Sequence, residues 1–472
     1  MRQAFVGPLP VKAFFKDFLP VEISSPSASP GFKSMAKAAS EKDMYGFFVC
    51  SFAPLLLPIF LLQQAIQVDA VNALFTHFIA FNTSNTPSRE LEAEYKPDVT
   101  IYKNDEKTPG RPFTSFQTME MFVEFKHGNS SDLFGPKDNL VPKLSGTACA
   151  SRGQIILYSI RQRAYQFRTS TLSVGIFGKV ARLFRWDNTG CNVSEPIDYS
   201  TEEGNRQLVE FFLRFDRMVD DPEARGWDPT VCDATAAEVK AFAQAVEVAS
   251  KEQHDPNRMR TRSQKGEVGP VLSGLIDSVG DPTKYARRKV SVMDGAAGKD
   301  YIVGRPTYVS KASTGRGTRG FVAMSVQTKA LVFLKDSWRP DIDGFKPEDD
   351  WYETLLKECG DASMENVGPY SHGSDVSATR NLIKCETKTQ RTIAHLYAKD
   401  HRRKEGMVGY IHHRVVLSKL LLPLEAFRDS KHLTSIMCDI AKGMFAWFSQ
   451  YVPGIDFVQS PQLCTQGGIF PP

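Results

Sequence analysis

Paired cysteines are what this sequence most plainly lacks. Its eight cysteines, at positions 50, 149, 191, 232, 359, 385, 438 and 464, stand singly, with no Cys-x-x-Cys and no Cys/His cluster at metal-ligand spacing. That excludes a disulfide scaffold or a zinc module and points to reduced thiols. Excess charge is missing as well. A formal net charge of +4 over 472 residues gives no ground, from charge alone, for a nucleic-acid or membrane partner. No secretory signal is visible at the N-terminus, because "MRQAFVGPLPVKAFFKDFLP" spreads charge and proline through its apolar positions, and none is expected. There is no internal repeat. The expected location is intracellular, cytoplasmic or nuclear, with no membrane partner.

Long apolar runs are nearly absent too. The one exception is "MYGFFVCSFAPLLLPIFLLQQAI", positions 44–66, uncharged from Tyr45 to Leu62. It reaches the lower bound of a spanning helix, but Pro54 and Pro58 interrupt it and its flanks are not strongly basic. A buried helix or an inserted loop segment is expected instead.

What is present is ordinary globular material, 42% hydrophobic and 24% charged, in a chain long enough for two cores. Residues 1–95 alternate short helical patterns with breaks such as "SSPSASPG" and "NTSNTPS", and read as a helical N-terminal extension with loops. From residue 96 the pattern turns to β-branched and aromatic runs, "DVTIY", "MEMFVEF", "LSVGIF" and "VARLFRW". A helix at 148–167 divides them and an amphipathic helix at 205–219 follows. This reads as an α/β domain with a mixed sheet over 96–233. Residues 234–269 read as a linker, and 270–472 as a second domain, strand-rich first and helical in its last hundred residues, including "HHRVVLSKLLLPLEAF".

Two constellations carry chemistry. The first is "KPDVTIY" followed by "VEFK". A metal-dependent hydrolase needs acceptor-only oxygens for Mg²⁺ and a cation beside the attacking water or scissile phosphate. Asp98 and Glu124 supply the oxygens. Lys126, two residues after Glu124, projects from the same face of a strand, and Gln154 opens the next helix within reach. The bland alternative is an exposed cross-strand ion pair between Glu124 and Lys126, worth under ~1 kcal/mol. The set Asp98, Glu124, Lys126 and Gln154 resembles the PD-(D/E)xK nuclease superfamily over residues 90–190. The resemblance implies Mg²⁺ at Asp98 and Glu124, with nucleic acid as substrate only under that reading.

The second constellation is "GRGTRGFV", which fits G-x-G-x-x-G-x-V at Gly315, Gly317, Gly320 and Val322, with Lys335 ending the apolar run "ALVFLK" thirteen residues after Val322. In a protein kinase such glycines close a hairpin over the ATP phosphates. The strand lysine holds the phosphates and pairs with a helix glutamate. Glu353 in "DDWYETLLKE" is the first choice for that partner and Glu348 the second. A Rossmann reading fails because no helix pattern starts at these glycines. A glycine hairpin followed by a surface lysine is the bland alternative.

Together "KPDVTIY", "VEFK", "RGQIILY", "ARLFRWD", "RGWDPTV", "GRGTRG" and "LKDSW" resemble the fungal-type protein kinases of mushroom-forming fungi over nearly the whole chain. The resemblance implies an α/β and α+β multidomain fold: a nuclease-like mixed sheet with helices, a protein-kinase-like N-lobe, and a partial helical C-lobe. It implies ATP as cofactor, a protein substrate or partner, and an insertion within 44–66. The sequence departs from the pattern where phosphate is transferred. "DHRRKE" has Arg403 in place of the catalytic-loop Asp, "DGF" at 343–345 is not Asp-Phe-Gly, and "PGIDFVQSPQLCTQGGIFPP" stands where the catalytic loop would follow a long helix at 430–452. A pseudokinase, or an incomplete gene model, is therefore expected. The alternatives are an Mg²⁺-dependent nuclease and a non-catalytic interaction scaffold.

Overall fold

The computed structural model describes residues 4–23, 32–49, 71–88, 90, 95–105, 108, 110, 112–128, 132–134, 143, 145–252, 279, 285–359, 369–377, 383–396, 407–420 and 429–451. Most of the apolar run at 44–66, all of "DHRRKE", most of the polar stretch after residue 252, and the tail after residue 451 lie outside them. Among the described residues no helix is long and apolar enough to cross a membrane. The chain is mixed α/β and divides into two compact units. The first is Met1–Pro229 with Lys311–Gly315 and Glu386–Tyr410; the second is Thr230–Ser310 with Arg316–Cys385 and Ile411–Pro472.

The first unit holds strands β1 (Phe5–Leu9), β2 (Phe78–Asn82), β3 (Val99–Lys103), β4 (Met121–Lys126), β5 (Thr171–Phe177), β6 (Val180–Trp186), β7 (Cys191–Ser194) and β8 (Ile197–Asp198). Its helices are α1 (Val11–Phe18), α2 (Glu41–Val49), α3 (Gly146–Tyr165) and α4 (Glu202–Arg217). The sheet runs β1-β7-β6-β5-β4-β3-β2, with β8 on β6. The β4–β5 pair is parallel because α3 lies between them in sequence and carries the chain back to the same end.

Alternation along the strands splits the core in two. Met121, Val123 and Phe125 face a layer with Phe14 and Phe18 of α1, Phe48 of α2, and Leu208, Phe212 and Phe215 of α4. Phe122, Phe184 and Trp186 pack with Ile155 and Tyr158 of α3. Helix α4 starts where the Thr201 hydroxyl accepts the Gly204 amide, with Glu202 and Glu203 in the first turn and Arg214 and Arg217 in the last, all favourable for its dipole.

Residues 1–95 are not a separate helical extension. Their two strands lie at the two ends of this sheet, β1 parallel to β7 and β2 antiparallel to β3. Pro8 hid β1 in the sequence, and an edge strand is where a proline costs least.

The second unit holds β9 (Val231–Asp233), α5 (Ala236–Glu252), β10 (Arg288–Asp294), β11 (Ala297–Val303), β12 (Tyr308–Val309), β13 (Arg319–Ser325), β14 (Leu331–Asp341), α6 (Glu348–Cys359), β15 (Tyr370–Asp375), β16 (Gly409–Leu417) and α8 (Ser430–Tyr451), while helix α7 (Thr389–Leu396) belongs to the first. The sheet order is β15-β16-β14-β13-β11-β10-β9, with β12 on β13, and the pairs β15–β16, β14–β13, β13–β11, β11–β10, β10–β9 and β12–β13 are antiparallel. A helix between the third and fourth strands of the set β11-β13-β14-β15-β16 is consistent with a kinase-like lobe. Two expectations are corrected here. Residues 236–252 are not linker but a helix whose Phe242 and Val246 pack on Ile302, Val322 and Met324. The run from His412 to Leu417 is strand, not helix: it is buried almost throughout, so its apolar residues follow no period.

Candidate functional sites

In the first unit the β3–β4 register pairs Val99 with Val123. One step further this sets Asp98 opposite Glu124, and cross-strand partners project to the same face. Lys126, two residues on, joins them. Its Nζ lies 2.6 Å from Glu124 Oε1 and 4.0 Å from Asp98 Oδ2. Asp98 Oδ2 also accepts the Phe125 amide at 2.8 Å. The three residues therefore converge, and the exposed ion pair is ruled out, because Glu124 is 0% exposed.

Gln154 is not brought to the carboxylates. Its Nε2 donates to the Tyr158 hydroxyl at 2.9 Å, which donates to the Lys96 carbonyl at 3.0 Å. One helical turn separates Gln154 from Tyr158, and that pairing holds it back.

Two residues of this cluster were missed in the sequence, Glu41 and Tyr45 of α2. The Tyr45 hydroxyl lies 2.9 Å from Glu41 Oε1 and 3.0 Å from Asp98 Oδ1, and Glu41 Oε2 accepts the His127 amide at 3.2 Å. The only signal available was a pair of polar residues four apart at the start of a short helix.

Three carboxylates thus face one ammonium. Burial pushes the Glu124 carboxyl up to about 8, and the nearby Asp98 charge adds to it. Burial also lifts Asp98 above its usual range against the pull of Lys126. Glu124 Oε2 is buried and has no hydrogen-bond partner. An orphaned carboxylate oxygen beside a second carboxylate fits a hard divalent cation. As the side chains stand, though, no group of three or more His, Cys, Asp or Glu residues among those described is disposed to hold a metal. The Lys126 ammonium lies against Glu124, and the Tyr45 hydroxyl against Asp98.

In the second unit Lys335 stands on β14 in register with Gly320 on β13. Its Nζ lies 2.8 Å from both carboxylate oxygens of Glu348, the first residue of α6. Glu353, the first choice for this partner, instead accepts the Tyr370 hydroxyl at 3.4 Å. The choice was misjudged because Glu348 opens its helix and so lies nearest the strand it follows. Arg316, between the first two glycines, places Nη2 3.3 Å from Glu348 Oε2.

The glycines differ in their reasons. Gly315 and Gly317 take φ of +100° and +50°, which other residues rarely adopt. Gly315 belongs with the first unit, where its amide donates to the Asn188 carbonyl at 2.7 Å. Gly320 lies within β13, where a Cβ would meet the Phe333 ring at 2.7 Å. Val322 is buried under Phe242 and Val246 of α5. Within the second unit the Lys335–Glu348 pair stands on the strand next to Gly320; the cover over Val322 leaves that residue facing helix.

Behind Lys335 lies a buried ionic core. Asp336 is flanked by His412, Arg319 and Arg414. Burial would raise its carboxyl, but these three groups outweigh it and hold it far below the carboxylate range. Asp375 accepts both arms of the Arg339 fork at 2.7 and 2.6 Å. These pairs tie β14 to β13, β15 and β16.

Residues 154–450 match the family described as fungal protein kinase, which is well over half of the chain. No curated protein and no solved structure matches it. The matched residues contain the whole of β13, β14 and α6 with the Lys335–Glu348 pair, and the chain belongs to the fungal protein kinase family.

Proposed function

We propose that this chain binds ATP through its second unit and does not by itself transfer the γ-phosphate. The observation that carries the reading is the ion pair between Lys335 and Glu348, both oxygens at 2.8 Å. In protein kinases a strand lysine held by a helix carboxylate is what grips the α- and β-phosphates. Gly320 lies on the strand beside Lys335, and Gly317 precedes that strand. Phosphoryl transfer further requires an Asp that receives the substrate hydroxyl and an Asp that holds Mg²⁺. These 472 residues contain neither His-Arg-Asp nor Asp-Phe-Gly. A nucleotide held in this way is a bound ligand and not a phosphoryl donor, and the partner class that the family suggests is a protein.

The test is binding of a fluorescent ATP analogue to the full chain, alongside a radiolabel transfer assay with Mg²⁺ and a general protein substrate. Lys335→Met is expected to weaken binding by ~10-fold or more, the worth of one charge-assisted hydrogen bond to phosphate. Transfer is expected at the level of the Lys335→Met background. Transfer lost specifically in Lys335→Met would overturn the reading.

A second reading is favoured by the convergence of Asp98, Glu124 and Lys126 with an orphaned Glu124 oxygen. In it the first unit is a divalent-cation site of nuclease type, with Asp98 and Glu124 as Mg²⁺ ligands and Lys126 as the cation beside the scissile phosphate. Mg²⁺- or Mn²⁺-dependent cleavage of DNA, abolished by Lys126→Ala, would support it. Absence of both ATP binding and cleavage would leave a scaffold.

A further inference from the structure

Lys335 has a surplus of positive charge around it. Glu348 carries one negative charge and two cations face it: Lys335 Nζ lies 2.8 Å from both carboxylate oxygens, and Arg316 Nη2 lies 3.3 Å from Oε2. Asp336, the next residue on β14, does not offset them. It points to the opposite face of the sheet and is taken by Arg319, His412 and Arg414. Among the described residues, then, an ammonium and a guanidinium share a single carboxylate, and the Arg316 side chain is 49% exposed. The charge left over suits a polyphosphate, which arginine meets with paired N–H groups and lysine as a point charge.

The face of the sheet on which Lys335 stands is already covered. Gly320, Val322 and Met324 of β13 lie opposite Lys335, Phe333 and Leu331 of β14, and Ile302 of β11 lies opposite Met324. Cross-strand partners and alternate residues share a face, so all of them belong to one surface. Helix α5 lies over its far end, where Phe242, 0% exposed, and Val246 pack on Ile302, Val322 and Met324. Nearer Lys335 the Phe333 ring reaches over Gly320, where a Cβ would meet it at 2.7 Å. In the other direction along β14 the next residues of this face, Ser337 and Arg339, are buried, and Arg339 is taken by Asp375. A planar base needs an apolar slot beside its phosphates, and the apolar residues of this surface face α5 instead.

We propose that the site at Lys335 reads the phosphate chain of a nucleotide and not its base: Lys335 and Arg316 clamp a polyphosphate, and α5 keeps the base off the sheet. The inference rests on the nucleotide site proposed above and adds which part of the nucleotide is recognised. Nucleoside triphosphates with different bases, and inorganic tripolyphosphate with none, are then bound alike.

The experiment is calorimetric titration of the full chain with ATP, GTP, inorganic tripolyphosphate and adenosine, for the wild type, Arg316→Gln and Lys335→Met. In the wild type ATP, GTP and tripolyphosphate are expected to bind within ~3-fold of one another and adenosine to give no saturable heat. Arg316→Gln, a change at an exposed side chain, is expected to weaken all three anions by ~10-fold, as is Lys335→Met. A preference for ATP over GTP or tripolyphosphate beyond that range would overturn the proposal and leave the nucleotide site standing, since the base would then be read. Unchanged affinity in Arg316→Gln would overturn the clamp, and tripolyphosphate bound equally by Lys335→Met would place the anion elsewhere on the chain. Absence of binding by all four compounds would remove the nucleotide site and this inference with it.

Discussion

Glu348 and Glu353 differ by five positions on one helix, and only the first reaches Lys335. Glu348→Gln removes the charge that holds the ammonium in place, so ATP-analogue binding is expected to fall by ~10-fold. Glu353→Gln is expected to leave binding within about twofold; equal losses in both would contradict the pairing. At the other site the residue-scale consequence is a pH dependence. Glu124 is pushed up to about 8 in the folded chain from an ordinary value of 4.5, first by burial and then by Asp98. Between those limits the folded chain keeps a proton that the unfolded chain has lost, so this group makes stability fall as pH rises, by up to ~1.4 kcal/mol per pH unit. Urea unfolding from about pH 5 to about pH 8 should show that slope in the wild type and a flatter one in Glu124→Gln. Matching slopes would mean that Glu124 is ionised in the fold.

At the scale of elements, the short helix α7 depends on one buried acceptor. Asp187, 0% exposed, takes the amides of Lys388 and Thr389 at 2.9 and 3.0 Å through one oxygen and those of Thr189 and Gly190 through the other. The first two are among the amides a helix start leaves unpaired, and the carboxylate also suits the dipole there. Asp187→Ala is expected to destabilise this helix start by ~1–2 kcal/mol and to speed hydrogen exchange of residues 387–392 while leaving α4 protected. Unchanged exchange there would contradict the assignment. Elements with a clear period were readable in advance. Strands β3 to β6 alternate between two layers, and α3 and α4 repeat apolar residues at helical spacing. Strand β16 was not readable, because a strand buried on both faces has no period, and β1 was not, because its proline argues against a strand anywhere but an edge. The cluster at Asp98 was half legible. "PD" and "ExK" announce an antiparallel pair that sets carboxylates face to face, whereas Glu41 and Tyr45 arrive from a helix more than fifty residues upstream that nothing in their own spacing links to the strands.

At the scale of the molecule, family membership and chemistry come apart. The match over residues 154–450 covers the strands and helix that carry Lys335 and Glu348, and the ionic core around Asp336 and Asp375 ties the strand bearing Lys335 to its neighbours. The two candidate sites stand in different units. The measurement that bears most directly on the central claim is equilibrium binding of the fluorescent ATP analogue to the full chain and to Lys335→Met. Saturable binding by the wild type, weakened ~10-fold or more by the substitution, is the expected result. No binding by the wild type, or equal binding by both, would contradict the account.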